Sequence, residues 1–277
     1  MITIVTDSSS YFKKTEALEM GIRVVSNNYI VNGQSYSESF SDDNGEFETL
    51  LSGNTRCSTS SPNIAAFQNC FEEELQKNND VLCIVLSSRL SGAYSTASLA
   101  MKQTGSKNIV VFDSQLTAGG LYLLIKETKK LINSGLSVDA IFSKLPNIRD
   151  RITLAFSVDD MTPLRNSGRI GFVRMSVGTI LNIKPILLCS DGAVVSEGVV
   201  QGNTELIKSF IEKIDVNTKE VVISHIGDNR LTSNLYHTIK NAFPHIMITM
   251  QKIGPVLGIH LGPKVIGISL YIETDAR

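Results

Sequence analysis

Two short runs constrain the fold of this chain more than any other feature. Residues 81–86 read Val-Leu-Cys-Ile-Val-Leu, and residues 109–112 read Ile-Val-Val-Phe. Neither run alternates apolar with polar side chains, so each is expected to be a strand covered on both faces, as in a parallel sheet packed between helices. Parallel neighbours need a crossover, and residues 91–103 supply one, with Ala93, Ala97 and Ala100 on one helical face. Residues 116–132 read as a second helix, nearly unbroken in apolar character from 121 to 125. Residues 2–6 form a further buried strand, residues 22–26 and 29–31 add two more candidates, and Asn32-Gly33 marks a hairpin. Strands alternating with helices predict a parallel sheet with right-handed crossovers.

The second half has a different rhythm. Residues 152–158 read as a strand, and residues 161–165 and 172–181 as helices broken at Ser167-Gly168. Strands over 183–189 and 193–200 flank Asp191-Gly192, a second hairpin signal. Leu206, Ile207, Phe210, Ile211 and Ile214 mark one helix face, and Leu231, Leu235, Ile239 and Phe243 mark another. Residues 220–225, 245–251 and 265–272 complete a mixed sheet. The expected fold class is therefore α/β in two domains. Residues 1–150 form an N-terminal domain with a mainly parallel sheet flanked by helices, and residues 151–277 form a C-terminal domain with a mixed sheet and helices. A chain of 277 residues is long enough for both.

Composition narrows the function classes. The 26 basic and 27 acidic side chains leave a formal charge of −1, so there is no net electrostatic reason to bind nucleic acid or an anionic membrane. Cys57, Cys70, Cys83 and Cys189 form no C-x-x-C pair and have no histidine at ligand spacing, so they are read as reduced packing residues and no metal site is expected. No apolar stretch approaches the ~20 residues that span a bilayer. The opening Met-Ile-Thr-Ile-Val-Thr-Asp lacks the basic and apolar regions of a signal peptide, so the expected compartment is the cytoplasm.

Open parallel sheets bind ligands where strand ends lead into helix starts. Hydroxyl-rich segments fall at such points: Thr6-Asp7-Ser8-Ser9-Ser10, residues 58–62 (Ser-Thr-Ser-Ser-Pro), residues 87–92 (Ser-Ser-Arg-Leu-Ser-Gly) and Asp113-Ser114. Each suits helix capping, with Ser61 before Pro62 read as an N-cap; together they also suit a shared anion site. Asp7 reads as an Asx-turn residue, and Asp159-Asp160 as the acidic start of a helix. Neither G-x-x-x-x-G-K-[ST] nor G-x-S-x-G occurs, which removes support for a P-loop enzyme or an α/β-hydrolase. Arg169 lies in the link between two expected helices, and His260 lies among Gly258, Gly262 and Pro263. His225, His237 and His245 are read as structural.

In order along the chain, these segments resemble the DegV family of fatty-acid-binding proteins. The resemblance runs through Thr6-Asp7-Ser8-Ser9, Thr59-Ser60-Ser61-Pro62, residues 86–94, Asp113-Ser114, Gly168-Arg169-Ile170 and residues 258–263, and so covers essentially the whole chain. It implies one long-chain fatty acid in an apolar tunnel between the domains, no other cofactor, and no catalysis by this chain alone. It further implies a partner, the ATP-binding subunit of a fatty-acid kinase, to which the carboxyl group is presented for acyl-phosphate formation. By resemblance, Thr59, Ser60, Ser91, Gly92 and His260 would bind the carboxylate, and Arg169 would support phosphoryl transfer, with both His260 and Arg169 charged. Transient membrane contact is compatible with such a carrier.

This chain departs from the family pattern at Gly198-Val199-Val200-Gln201-Gly202-Asn203, where kinase-associated members carry basic residues. Lys264 replaces a more usual glycine, and Ser61 a more usual glutamine. The apolar runs at 121–125 and 175–181 suit either a channel floor or the core. Two other readings fit the same residues. One is a phosphosugar or small-keto-compound transferase with His260 as base or nucleophile; the other is a lipid-sensing regulatory module.

Overall fold

The computed structural model describes residues 1–51, 55–170, 182–227 and 229–273. The chain opens with β1 (Ile2–Asp7), a 3-10 turn at Ser8–Ser10, α1 (Lys14–Glu19), β2 (Ile22–Val25) and the hairpin strands β3 (Asn28–Val31) and β4 (Gln34–Ser37). Next come α2 (Glu48–Leu51), β5 (Cys57–Ser60), α3 (Ile64–Gln76), β6 (Asp80–Val85), α4 (Ala93–Thr104), β7 (Ile109–Asp113), α5 (Ala118–Asn133) and α6 (Val138–Arg149). The second half begins with β8 (Ile152–Val158), α7 (Thr162–Asn166), β9 (Ile183–Ser190), β10 (Ala193–Gln201) and α8 (Gly202–Ile211). It ends with β11 (Thr218–Ile226), α9 (Asn229–Ala242), β12 (Met247–Lys252), α10 (Pro255–Leu261) and β13 (Val265–Ile272).

The apolar runs became the centre of an all-parallel sheet in the order β2-β1-β6-β7. Val81 to Val85 are all buried, as a strand covered on both faces requires. A second sheet, β10-β9-β8-β13-β11-β12, is antiparallel except between β11 and β12. Both hairpins form where Asn32-Gly33 and Asp191-Gly192 supply pairs of positive φ angles, the requirement of a type I′ turn. The helix expected over 172–181 lies outside the described residues.

The structure corrects two local expectations. Residues 58–60 are not a loop at a strand end: they belong to β5, in a small third sheet ordered β4-β3-β5. The N-cap of α3 is not Ser61 but Asn63, whose side chain accepts from the Ala66 N–H at 2.8 Å. Pro62 therefore precedes the cap instead of opening the helix.

Helix α5 holds the two large sheets together. Every residue from Ala118 to Ile125 is buried, so the run at 121–125 is core. The helix packs on β1 and the Ser8–Ser10 turn from one side, and on β8, β11 and β13 from the other. Gly119 permits this approach: a Cβ there would lie 2.8 Å from Ser269 Oγ and 2.9 Å from Val222 Cγ1. Polar ties cross the same junction. Ser87 Oγ donates to the Gly192 carbonyl at 2.6 Å, Gln251 Nε2 donates to the Ser10 carbonyl at 3.0 Å, and Lys126 pairs with Glu220 at 2.7 Å.

Glu38 is a further tie. Fully buried, it accepts from Ser8 Oγ at 2.6 Å, Tyr11 Oη at 3.2 Å and the Val256 N–H at the start of α10 at 2.9 Å. Burial pushes its pKa up to about 7 against the lowering effect of these hydrogen bonds.

Two outcomes follow from this packing. Gly119→Ala forces the sheets apart and is expected to cost about 1–3 kcal/mol in urea unfolding; an unchanged midpoint would refute the close approach. Because Glu38 has its folded value near 7 and an ordinary value of 4.5, the folded state keeps the proton longer. Its contribution is complete below the ordinary value and fades as pH rises through the folded one, a change on the order of 3 kcal/mol. Unfolding of the wild type and Glu38→Gln across that window should show the slope in the first and its absence in the second.

Candidate functional site

A cavity with about 850 Å3 of non-atom space, including the part that opens to solvent, lies where the N-terminal layer meets the six-stranded sheet. Its walls come mainly from Leu154 and Phe156 on β8, Val194 on β10, and Val256, Leu257 and Leu261 on α10. Ser91, Arg169 and His260 line it as well, as does Thr117 at the start of α5.

The polar end is assembled from distant parts of the chain. Strand β5 brings Thr59 Oγ1 to 2.7 Å from His260 Nε2, in the last turn of α10. Ser91 precedes α4, and its Oγ accepts from the Ala93 N–H at 3.3 Å, holding the hydroxyl beside a helix start. Arg169 Nε approaches the Leu90 carbonyl at 3.5 Å, so a guanidinium from the second half overlies the loop that leads to Ser91. Gly92 is the N-cap of α4 and carries no side chain to compete for the helix's first N–H groups; a Cβ there would come within 3.2 Å of Ser61 Oγ.

Ser91, Arg169 and His260 thus line one cavity, and Thr59 is tied to it through His260, whereas Ser60 does not join them through its side chain. Successive residues of a strand point to opposite faces, and Ser60 is exposed where Thr59 is half-buried. The other hydroxyl-rich segments are occupied elsewhere. Asp7 accepts from Ser9 N at 3.0 Å, Asn27 Nδ2 at 2.9 Å and Leu86 N at 2.8 Å, the Asx-turn role expected of it. Asp113 accepts from Ser88 N and Gln115 N, and Ser87 is committed to Gly192. These segments organise loops around the cavity and do not form one shared anion site with Thr59.

His260 differs electrostatically from expectation. Burial, then the neighbouring Arg169, brings its pKa down to about 4, so it is neutral at pH 7. Among the described residues that line the cavity, Arg169 brings the positive charge. Cys189 also lines the cavity, and burial pushes its thiol up to about 12, which leaves it an inert packing group. Among the described residues no group of three or more His, Cys, Asp or Glu could hold a metal ion, and no helix is long and apolar enough to cross a membrane.

The sequence reading missed Thr117, Ser224 and Ser269 as lining residues. Thr117 had a usable signal, since it stands between an apolar strand and an apolar helix. Ser224 and Ser269 sit inside strands, where no spacing rule separates a cavity wall from a packed interior.

Known proteins share this fold. A family profile described as "uncharacterised protein, DegV family" matches residues 1–273. A DegV domain-containing protein of Halalkalibacterium halodurans is 29% identical over 279 residues, covering 98% of this chain and 99% of that protein. The crystal structure of a DegV family protein from Thermus thermophilus, reported for its fatty-acid binding, superposes with a TM-score of 0.88 at 26% identity, covering 98% of this chain and 99% of that one. The fatty acid kinase (Fak) B3 protein of Streptococcus pneumoniae, loaded with linoleic acid, shares the fold with a TM-score of 0.83 at 19% identity, covering 99% of this chain and 100% of that one. With a match that spans nearly every residue, this chain belongs to the DegV family.

Proposed function

We propose that the protein is a carrier of long-chain fatty acid, with the acyl tail in the apolar cavity and the carboxylate at Thr59, Ser91 and His260. The observation that carries this reading is a cavity walled mainly by apolar side chains and also lined by Ser91, Arg169 and His260. Each methylene moved from water into such a wall is worth about 0.8 kcal/mol. A buried carboxylate needs donors, and the Thr59 and Ser91 hydroxyls, the start of α4 and the Arg169 guanidinium are at hand. The Thermus relative, with its reported fatty-acid binding, supports the same ligand class.

On this reading the lobes that enclose the ligand are residues 1–150 and 151–277, and the chain performs no chemistry alone. Its partner would be the ATP-binding subunit of a fatty-acid kinase, as the likeness to the pneumococcal kinase B3 protein suggests. Arg169, at the cavity mouth, would then stabilise the charge that develops on the carboxyl oxygen as it is phosphorylated. A phosphosugar transferase fits less well, because a strongly hydrated substrate gains nothing from walls of Leu, Val and Phe. A neutral His260 also offers a phosphate no counter-charge.

Organic extraction of the purified protein followed by mass spectrometry should release a long-chain fatty acid. Absence of any fatty acid, together with no uptake of added palmitate or oleate, would reject the carrier. The double variant Thr59→Ala, Ser91→Ala should loosen binding by about 1–3 kcal/mol through lost hydrogen bonds to a charged group. Unaltered affinity in the folded double variant would remove both residues from the site.

A bound carboxylate favours the charged imidazole, so ligand binding should raise the His260 pKa from its starting value of about 4. Binding then takes up protons, and affinity for the ionised acid should rise as pH falls through the raised value and level off near the starting value of about 4. Titration calorimetry in buffers of different ionisation heat measures this uptake. His260→Gln should abolish it, and equal uptake by wild type and variant would place the carboxylate elsewhere.

A further inference from the structure

The helix that carries His260 begins without a cap of its own. Gly254, its N-cap, has no side chain to accept a hydrogen bond, and Pro255, its first residue, has no N–H to donate. The first amides without a helical partner are those of Val256 and Leu257, and both are met by side chains of the N-terminal layer. The Val256 N–H donates to Glu38 Oε1 at 2.9 Å, and the Leu257 N–H donates to Tyr11 Oη at 3.4 Å. Tyr11 Oη in turn donates to Glu38 Oε1 at 3.2 Å. The approach leaves no room for a side chain on Gly254, whose Cβ would lie 2.5 Å from Glu38 Oε1 and 2.9 Å from Tyr11 Cε1.

Both capping groups are fixed in their roles, and both are buried. Ser8 Oγ accepts from Asn27 N at 3.0 Å and from Asn27 Nδ2 at 3.1 Å, so its lone pairs are taken and its proton goes to Glu38 Oε2 at 2.6 Å. Glu38 is thus faced by two groups that can only donate, the Ser8 hydroxyl and the Val256 N–H. Tyr11 holds a left-handed backbone with φ of 49°, a conformation that a residue other than glycine keeps only where its surroundings over-determine it. What this construction aims is one wall of the cavity. Val256, Leu257, His260 and Leu261 all line it, and His260 follows Val256 by about one turn on the same helix face. A helix of seven residues held at its start has its end placed too, and at that end His260 Nε2 meets Thr59 Oγ1 at 2.7 Å.

Resting on the fatty-acid reading above, we propose that Glu38 and Tyr11 are positioning residues for the head-group site. By capping α10 from the opposite layer they hold His260 against Thr59 and set the wall formed by Val256, Leu257 and Leu261.

The test uses the delipidated full chain and reads two quantities, the His260 pKa by NMR titration without added lipid and the affinity for palmitate. Tyr11→Phe removes the hydroxyl and keeps the ring. Glu38→Gln keeps the shape but sets an NH2 against one of the two obligate donors. In each variant α10 is expected to loosen from Thr59 and His260 to gain water, so that its pKa moves from about 4 toward the ordinary 6.5. Palmitate should bind about three- to tenfold more weakly. The comparison variant is Glu74→Gln, which disturbs another buried carboxyl of the N-terminal layer, one held by Thr3, Asn79, Arg23 and Lys77. It should lower stability and leave both readings at wild-type values.

The inference falls if folded Tyr11→Phe and Glu38→Gln keep the wild-type His260 pKa and palmitate affinity. It also falls if Glu74→Gln changes both readings equally, since the effect is then general destabilisation. Should both site variants fail to fold, amide exchange in the wild type decides: palmitate should slow exchange at Val256 and Leu257 more than in α3, and equal slowing overturns the inference. If the wild type takes up no palmitate the carrier reading ends, and the His260 pKa in the variants still decides whether Glu38 and Tyr11 position it.

Discussion

The burial of the first half of α5, Ala118 to Ile125, on all sides is the constraint on which the rest of the structure depends. A helical stretch apolar around its whole circumference cannot rest on one sheet with its far side in water. Here the parallel sheet takes one side and the six-stranded sheet the other, so the N-terminal core runs on through Val222 and Tyr271 of the second sheet. The glycines that begin the helix set how closely the layers approach: Gly119 rests on Ser269 and Val222, and Gly120 on Leu116 and Leu154. Thr117, the residue before the helix, lines the cavity.

That arrangement fixes the electrostatics of the mouth. Helix α10 is held at its start by Glu38, a carboxyl from the N-terminal half, and delivers His260 at its end to Thr59, also from the N-terminal half. The short helix is thus clamped between two contacts with the other layer. Burial that strips water from His260, with Arg169 beside it, keeps the imidazole uncharged.

Much of the fold was legible because it follows from local rules. The unbroken apolar runs at 81–86 and 109–112, the Asn32-Gly33 and Asp191-Gly192 turns, and the four-residue steps of Leu231, Leu235 and Ile239 each carry their structure in neighbouring residues. The N-cap of α3 was less so, since Ser61, Pro62 and Asn63 all fit a helix start and only backbone geometry separates them. The strand assignment of Thr59 was hidden because a run of serine and threonine has no apolar alternation, and its pairing partner β3 lies some thirty residues earlier.

The sequence by itself determined the layers, the hairpins and the residues that could serve as donors, because periodicity and turn sterics act over a few residues. Only the tertiary structure decided which hydroxyls find a partner. Ser87 and Thr117 are alike as residues before helices, yet Ser87 meets a carbonyl 105 positions away and Thr117 meets none among the described residues. A hydroxyl's partner is set by whatever the fold brings within about 3 Å, and no local pattern encodes that distance.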